Sequence, residues 1–407
     1  MFEGWGEAEL IDEIARLETA KSAAAAAQAR AAVALDAARR AGEAAAGVPS
    51  AQQGRGVAAE IALARRDSPH RGGRHLGLAK ALVHEMPHTL AALQAGALSE
   101  WRATLIVRES ACLSVAHRRQ LDTEMCAELS ALDGMGDKRL TATAKTIAYR
   151  LDPQAVVDRA ARAAAERRVT IRPAPDTMTQ LSVLLPLTQG VGVYAALRAA
   201  ATSTFDGRTR GQVMADTVYE RITGRPAQAP APIAVTLVLT DDTLLADTDT
   251  PAVVHGYGPI PAAVARHMIQ TAATDTRSAA TLRRLYRHPT SGQLVAMESR
   301  ARRFPTTLAT FIRLRDQTCR TPYCDAEIRH LDHAQPHHQG GPTTATNGLG
   351  ECEACNYTKE TPGWQVTTTC DDNDVHQAEF TTPTRRRYRS WAQPVLGQPD
   401  IDIIDVA

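Results

Sequence analysis

Apolar residues recur at helical spacing from the start of the chain. Leu10, Ile14 and Leu17 share one face, and an Ala-rich run carries the pattern to near Gly47. This predicts one long N-terminal helix, although Ala makes a thin seam for a coiled coil. Pro49, Gly54 and Gly56 then mark a loop over 50 to 57. From about 58 to 170 helix follows helix. Pro87 opens a segment from His88 to Ala95, Gly96 closes it, and Ser99 is placed to cap the next helix, with Trp101, Leu105 and Ile106. The spacing is like that of a helix-turn-helix, which would make the second helix a DNA reader; plain packing of a helical hairpin is the commoner use of such a pair.

Between 165 and 300 the period shortens. Val169 with Ile171, Leu181 with Val183 and Leu185, Ala234 to Leu239, and Leu285 with Tyr286 facing Leu294 to Met297 all read as strands among helices. The stretch GRPAQAPAP over 224 to 232 reads as a linker or exposed loop. The fold class expected is therefore a mainly α N-terminal region, an α+β middle part and a small C-terminal domain. The divisions fall at residues 1–57, 58–300 and 301–390, with 391–407 as a tail.

With 407 residues, 44% of them hydrophobic, the chain is too long for one ordinary core and has ample apolar content to bury. Only five of the 46 basic residues are Lys, and Ala is abundant, a bias that reflects a GC-rich coding sequence before it reflects function. The net charge of +1 hides a local excess: residues 281 to 330 hold ten Arg against four acids, and Arg385, Arg386, Arg387 and Arg389 follow. An excess of one sign on one domain can steer it toward phosphate. The opening MFEGWGEAELIDEIARLE is acidic and amphipathic, unlike a secretory signal, so a cytoplasmic protein is expected. No membrane span is expected either. Gln28, Arg30, Asp36, Arg39 and Arg40 break the Ala-rich run, and Pro186, Thr188, Gln189 and Arg198 break the apolar stretch over 181 to 201.

Of seven cysteines, Cys112, Cys126 and Cys370 read as buried thiols without a role. The other four form two tight pairs. Four residues separate Cys319 from Cys324, two separate Cys352 from Cys355, and 27 lie between the pairs. Two such hairpins can place four thiolates around one tetrahedral Zn2+, a closed structural site with no position open for catalysis.

Between and just beyond these pairs the chain reads Asp332-His333-Ala334-Gln335-Pro336, Gly340-Gly341-Pro342-Thr343, Asn347-Gly348, then Asn356 and Lys359. In order and spacing this resembles the HNH endonuclease family over residues 319 to 364. At the scale of the chain, the stretch from Met86 to Ser114 resembles the HNH proteins of high-GC bacteria in which a helical domain of unknown function precedes the nuclease domain.

The resemblance implies a ββα-metal zinc domain, with the first strand ending at Asp332 and His333 and the helix over 353 to 360. It implies a metal-dependent endonuclease with DNA as partner. The chemistry needs a base for water and a cation to stabilise charge on the phosphate and the departing oxygen. His333 suits the base, since imidazole can be neutral at cellular pH. Asp332 and Asn356 supply hard oxygens that suit catalytic Mg2+ or Mn2+. Asn356 departs from the many relatives with His there and is the weaker ligand. Neighbouring strand residues point to opposite faces, so Asp332 and His333 can act together only where the strand ends. Asn347 is carried over as the residue whose amide orients the His loop, Lys359, Arg320 and Arg329 as DNA contacts, and Trp364 as packing against the cysteines. The alternative is a non-catalytic zinc module that binds nucleic acid or a partner protein.

Overall fold

The computed structural model describes residues 2–204, 206–228, 237–239, 243, 248–254, 257–274, 304–371 and 375–393. The chain opens with α1 (Glu7–Ala45), followed by α2 (Val57–Ala64), α3 (Gly72–Lys80) and α4 (Pro87–Ala95). The buried stripe of α1 is Ala25, Ala26, Ala29, Ala32 and Val33, while Ile11, Ile14 and Leu17 are exposed. The long helix forms as expected, but its core face is the alanine stripe, whose small side chains let it lie close to α3 and α4. Leu82, Leu90 and Leu93 fill the space between them.

Pro87 opens α4, and Gly96, at φ +82°, closes it in the left-handed region that a side chain would strain. The amide donors at its start are satisfied from 33 residues away: Asp122 accepts from Thr89 N at 2.7 Å and from Thr89 Oγ1 at 2.6 Å. Ser99 caps α5 (Glu100–Ser110) by accepting from Arg102 N. With α6 (Val115–Cys126) and α7 (Asp137–Leu151), α5 builds a second core around Ile106, Leu121, Met125, Leu140 and Ala144. Leu105 and Ile106 of α5 are buried there, while Trp101 and Arg108 are exposed. Trp101 Nε1 donates to Asp137, and Arg65 pairs with Glu100.

After α8 (Pro153–Ala163), β1 (Arg168–Ala174) and β2 (Met178–Leu184) form an antiparallel hairpin that pairs Val169 with Val183 and Ile171 with Leu181. Then come α9 (Leu187–Ser203), α10 (Arg210–Thr223), the three-stranded sheet of β3 (Leu237–Val238), β4 (Ala252–Val254) and β5 (Gly258–Ile260), and α11 (Ala262–Thr274). The strands expected at 285–286 and 294–297 lie outside the described residues, as do 234–236 of the expected strand at 234–239 and 229–232 of the expected linker at 224–232. Cys126 is buried, which pushes its thiol up to about 11. Cys112 is half-buried in the turn after α5 and Cys370 is exposed, so two of the three lone cysteines are less enclosed than expected.

The C-terminal part begins with α12 (Thr306–Asp316), which packs Leu308 and Ile312 over Ala345. The short antiparallel pair β6 (His330–His333) and β7 (Gly348–Glu351) leads into α13 (Glu353–Lys359). A meander of β8 (Gln365–Cys370), β9 (His376–Thr381) and β10 (Arg387–Trp391) follows, ordered β10-β9-β8. Val366, Ala378 and Phe380 on its inner face meet Ala334 and Leu349.

Asp316, fully buried at the end of α12, joins these layers. Its carboxylate accepts from Arg315 Nε at 2.7 Å, Arg320 Nη1 at 2.9 Å and Gly350 N at 2.7 Å. Arg315 also donates to Gly348 O, and Arg320 to the carbonyls of His376 and Ser390. Burial works to raise the Asp316 pKa, but the two guanidiniums win and hold it below the usual carboxylate value. His376 is pushed down to about 3 by burial and both arginines, so it is neutral. Its Nδ1 accepts from Arg320, which fixes the proton on Nε2 facing Thr346 O. Asp316→Ala would leave two buried guanidiniums without their anion, so we expect a loss of about 3–5 kcal/mol. Urea denaturation of the variant, followed by tryptophan fluorescence, checks this.

Candidate metal centre and the adjoining polar site

Cys319 and Cys324 sit in the loop after α12, and Cys352 and Cys355 at the start of α13. All four are buried free thiols, and their sulfurs lie within 4.8 Å of one another. Cys324 Sγ and Cys352 Sγ are 3.8 Å apart. Four sulfurs at about 2.3 Å from one tetrahedral zinc stand about 3.8 Å from each other. The donor set and its spacing therefore fit one metal ion such as zinc. Cys352 Sγ also accepts from Cys355 N at 3.4 Å, capping α13. The thiols of Cys319, Cys324 and Cys355, with that amide, hold the Cys352 thiol well below its usual value.

From this cluster, where His330 lies opposite Glu351, β6 runs to its end at Asp332 and His333. His333 Nδ1 is 3.8 Å from Asp332 Oδ1, and His333 N donates to the same oxygen at 2.8 Å. The His333 ring is 6% exposed, lies against Phe304 at 4.6 Å between centroids, and has Nε2 2.9 Å from Thr343 Oγ1. Burial, which outweighs Asp332, lowers its pKa from 6.5. The amide of Asn356 comes from α13, and turned nitrogen-inward it donates to Asp332 Oδ2 at 2.7 Å and Glu351 Oε2 at 3.2 Å. Lys359, one turn on, donates to Asp332 Oδ2 at 2.7 Å, Glu360 Oε1 at 2.7 Å and His333 O at 3.2 Å. Burial opposes the charge of Asp332, but Lys359 outweighs it and keeps the carboxyl ionised.

Asn347 stands at the start of β7 and threads the loop between the strands. Its Oδ1 accepts from Gln335 N at 2.9 Å, and its Nδ2 donates to Pro342 O at 2.8 Å and Gln335 O at 3.1 Å. Gly341 lets the loop close on itself, because a Cβ there would lie 1.9 Å from Gln335 O. The segment after His333 is thereby held by backbone bonds on both sides.

Three expected positions are corrected. Arg320 is 3% exposed and pairs with Asp316 and His376, so its cation belongs to the core and not to a surface. Lys359 is likewise buried, with its ammonium bonded to two carboxylates. Trp364 packs on Ala59 and Leu63 of α2, tying α2 to the segment after α13. Arg329 is exposed and pairs with Glu327. Asp332, Asn356, Lys359 and His333 are brought together, with Asn347 behind them. Glu351, buried at the end of β7, was not singled out by the residue pattern, and Thr343 stood in it without a role. A charged residue at the inner end of a strand, directly before a cysteine pair, is the signal that could have marked Glu351.

A family profile described as "Domain of unknown function (DUF222)" matches residues 16–316. That match ends on the last residue of α12, three residues before Cys319. No curated protein and no solved structure matches the chain. Among the described residues, no helix is long and apolar enough to cross a membrane. From the sulfur geometry, Cys352→Ala is expected to lower bound zinc per chain and the melting temperature together, since it opens a closed site and uncaps α13. Elemental analysis and a thermal melt on the same sample check this; unchanged zinc and Tm would sink the assignment.

Proposed function

The chain belongs to the DUF222 family, and we propose that the site just beyond the matched region is an HNH endonuclease centre that hydrolyses DNA phosphodiester bonds. The observation that carries this reading is the meeting of His333, Asp332 and the Asn356 amide at the end of β6, with Asp332 Oδ2 only 2.7 Å from the amide. His333 is the base. Its lowered pKa keeps it neutral near pH 7. Thr343 Oγ1 can accept the proton of Nε2, which leaves Nδ1, on the Asp332 side, to take the proton of the attacking water.

Asp332 and Asn356 would hold Mg2+ or Mn2+, which supplies positive charge to the scissile phosphate and the departing oxygen. Asn347 fixes the loop that carries the base. With Arg320 and Lys359 turned inward, the exposed Arg329, Arg385, Arg386, Arg387 and Arg389 are the candidates for contacts with a nucleic-acid backbone. One catalytic centre per chain makes nicking the elementary event.

A second reading is a non-catalytic zinc module. It is favoured by Lys359, whose ammonium already faces the Asp332 oxygen that a metal would use. Supercoiled plasmid with Mg2+ or Mn2+ separates the two. The nuclease reading expects nicking that EDTA stops and either ion restores. His333→Ala should lower the rate by about 100-fold or more, with zinc content and DNA binding kept. Parallel loss of DNA binding would make His333 structural, and absence of cutting by the wild type would favour the module.

The pH dependence has a definite sign. A base works when deprotonated, and the pKa of His333 is lowered, so the rate should rise with pH through a midpoint below 6.5 and then level off. A midpoint above 6.5 in a plasmid-nicking pH profile would argue against His333 as the base.

A further inference from the structure

Glu351 takes no part in the reading above, yet its place in the site is specific. It closes β7 opposite His330, one residue before Cys352, and its side chain is 0% exposed. Its Oε1 has no hydrogen-bond partner, and its Oε2 lies 4.0 Å from Lys359 Nζ. A buried carboxyl oxygen left unpaired costs free energy that an apolar residue at the end of this hairpin would not. The carboxyl is aimed into the polar cluster. The inward atom of the Asn356 amide is 3.2 Å from Glu351 Oε2 and 2.7 Å from Asp332 Oδ2.

An amide can present either end to two carboxyls by a half-turn of its terminal torsion. Nitrogen inward, Asn356 donates to both. Oxygen inward, it stands between two further oxygens at 2.7 and 3.2 Å. Adjacent ligands in an octahedral shell, with metal–oxygen distances of about 2.0–2.1 Å, lie about 2.9 Å apart. We propose that Glu351 is a third oxygen ligand, on the inner side, for the divalent cation that Asp332 and Asn356 hold. The proposal rests on the metal-dependent reading of this site. It gives the buried carboxyl a cation as partner through Oε2, the oxygen that faces the amide, and supplies the anionic charge that a neutral Asn ligand lacks. Two carboxylates and an amide make a hard, oxygen-only face suited to Mg2+ or Mn2+. Lys359, bonded to the outer carboxylate, balances part of their charge when the amide is turned nitrogen-inward.

The test is Mn2+ binding to the full-length, zinc-loaded protein without DNA, read from the electron paramagnetic resonance signal of free Mn2+. Glu351→Gln keeps the shape and removes the anionic oxygen, so affinity should fall at least tenfold with zinc content unchanged. Asn356→Asp adds an anionic oxygen and should tighten binding at least threefold. If Glu351→Gln loses zinc, Asn356→Asp decides alone, and affinity that is unchanged or weaker overturns the proposal. A Glu351→Gln affinity within twofold of wild type, while Asp332→Ala abolishes binding, overturns the third ligand and leaves the nuclease reading intact. Binding that needs both Glu351 and Asp332, in a protein that does not cut plasmid, keeps the ligand set and overturns the nuclease reading. A wild type that binds no Mn2+ overturns both.

Discussion

Four sulfurs within 4.8 Å of one another hold the loop after α12 against the first turn of α13. The rest of the C-terminal structure depends on that constraint. The intervening chain must leave Cys324 and return to Cys352, and it does so as the antiparallel pair β6 and β7. That pair is only four residues long on each side and could not persist alone in water. With its far end fixed by the cysteines and its loop tied by Asn347, it delivers Asp332 and His333 to the same side as Asn356 and Lys359. The polar site lies where this hairpin ends. Its side chains come from one strand end and one two-turn helix, neither of which is stable by itself.

A second constraint lies behind the first. Asp316, Arg315, Arg320 and His376 form a buried ionic network that joins α12, β7 and the β8–β10 meander. Such networks stabilise little compared with an apolar core, but they are unforgiving of a missing member. They also specify how the layers meet, since each guanidinium reaches particular carbonyls. The helical part touches this unit through Trp364 on Ala59 and Leu63, and through Thr384 Oγ1 on Glu60 at 2.7 Å. The DUF222 region and the C-terminal unit thus share a packed contact.

What was legible in the sequence follows the range of each interaction. The cysteine spacing, the Pro87–Gly96–Ser99 punctuation and the β1–β2 alternation are local, and each element forms where the pattern puts it. Long-range partners were not legible. The cap of α4 by Asp122 spans 33 residues, and nothing around either residue announces it. Arg320 looked like a surface cation because its second partner, His376, comes from β9, although its anion, Asp316, stands only four residues before it. The exposed Ile14 and Leu17 show the opposite error, since a regular apolar period does not say whether another surface exists to meet it. Within the site, residue types at the right spacing pointed to His333, Asp332 and Asn356, whereas Glu351 became visible only once β7 placed it beneath them.

A closed, all-sulfur metal centre would set this geometry. X-ray absorption at the zinc K-edge of the purified full-length protein tests it most directly. Four sulfur neighbours at about 2.3 Å are expected, with no nitrogen or oxygen in the shell. A shell with fewer than four sulfurs, or with an imidazole drawn from His330, His333, His337 or His338, would contradict it, because the residues of the polar site would then be holding the structural ion.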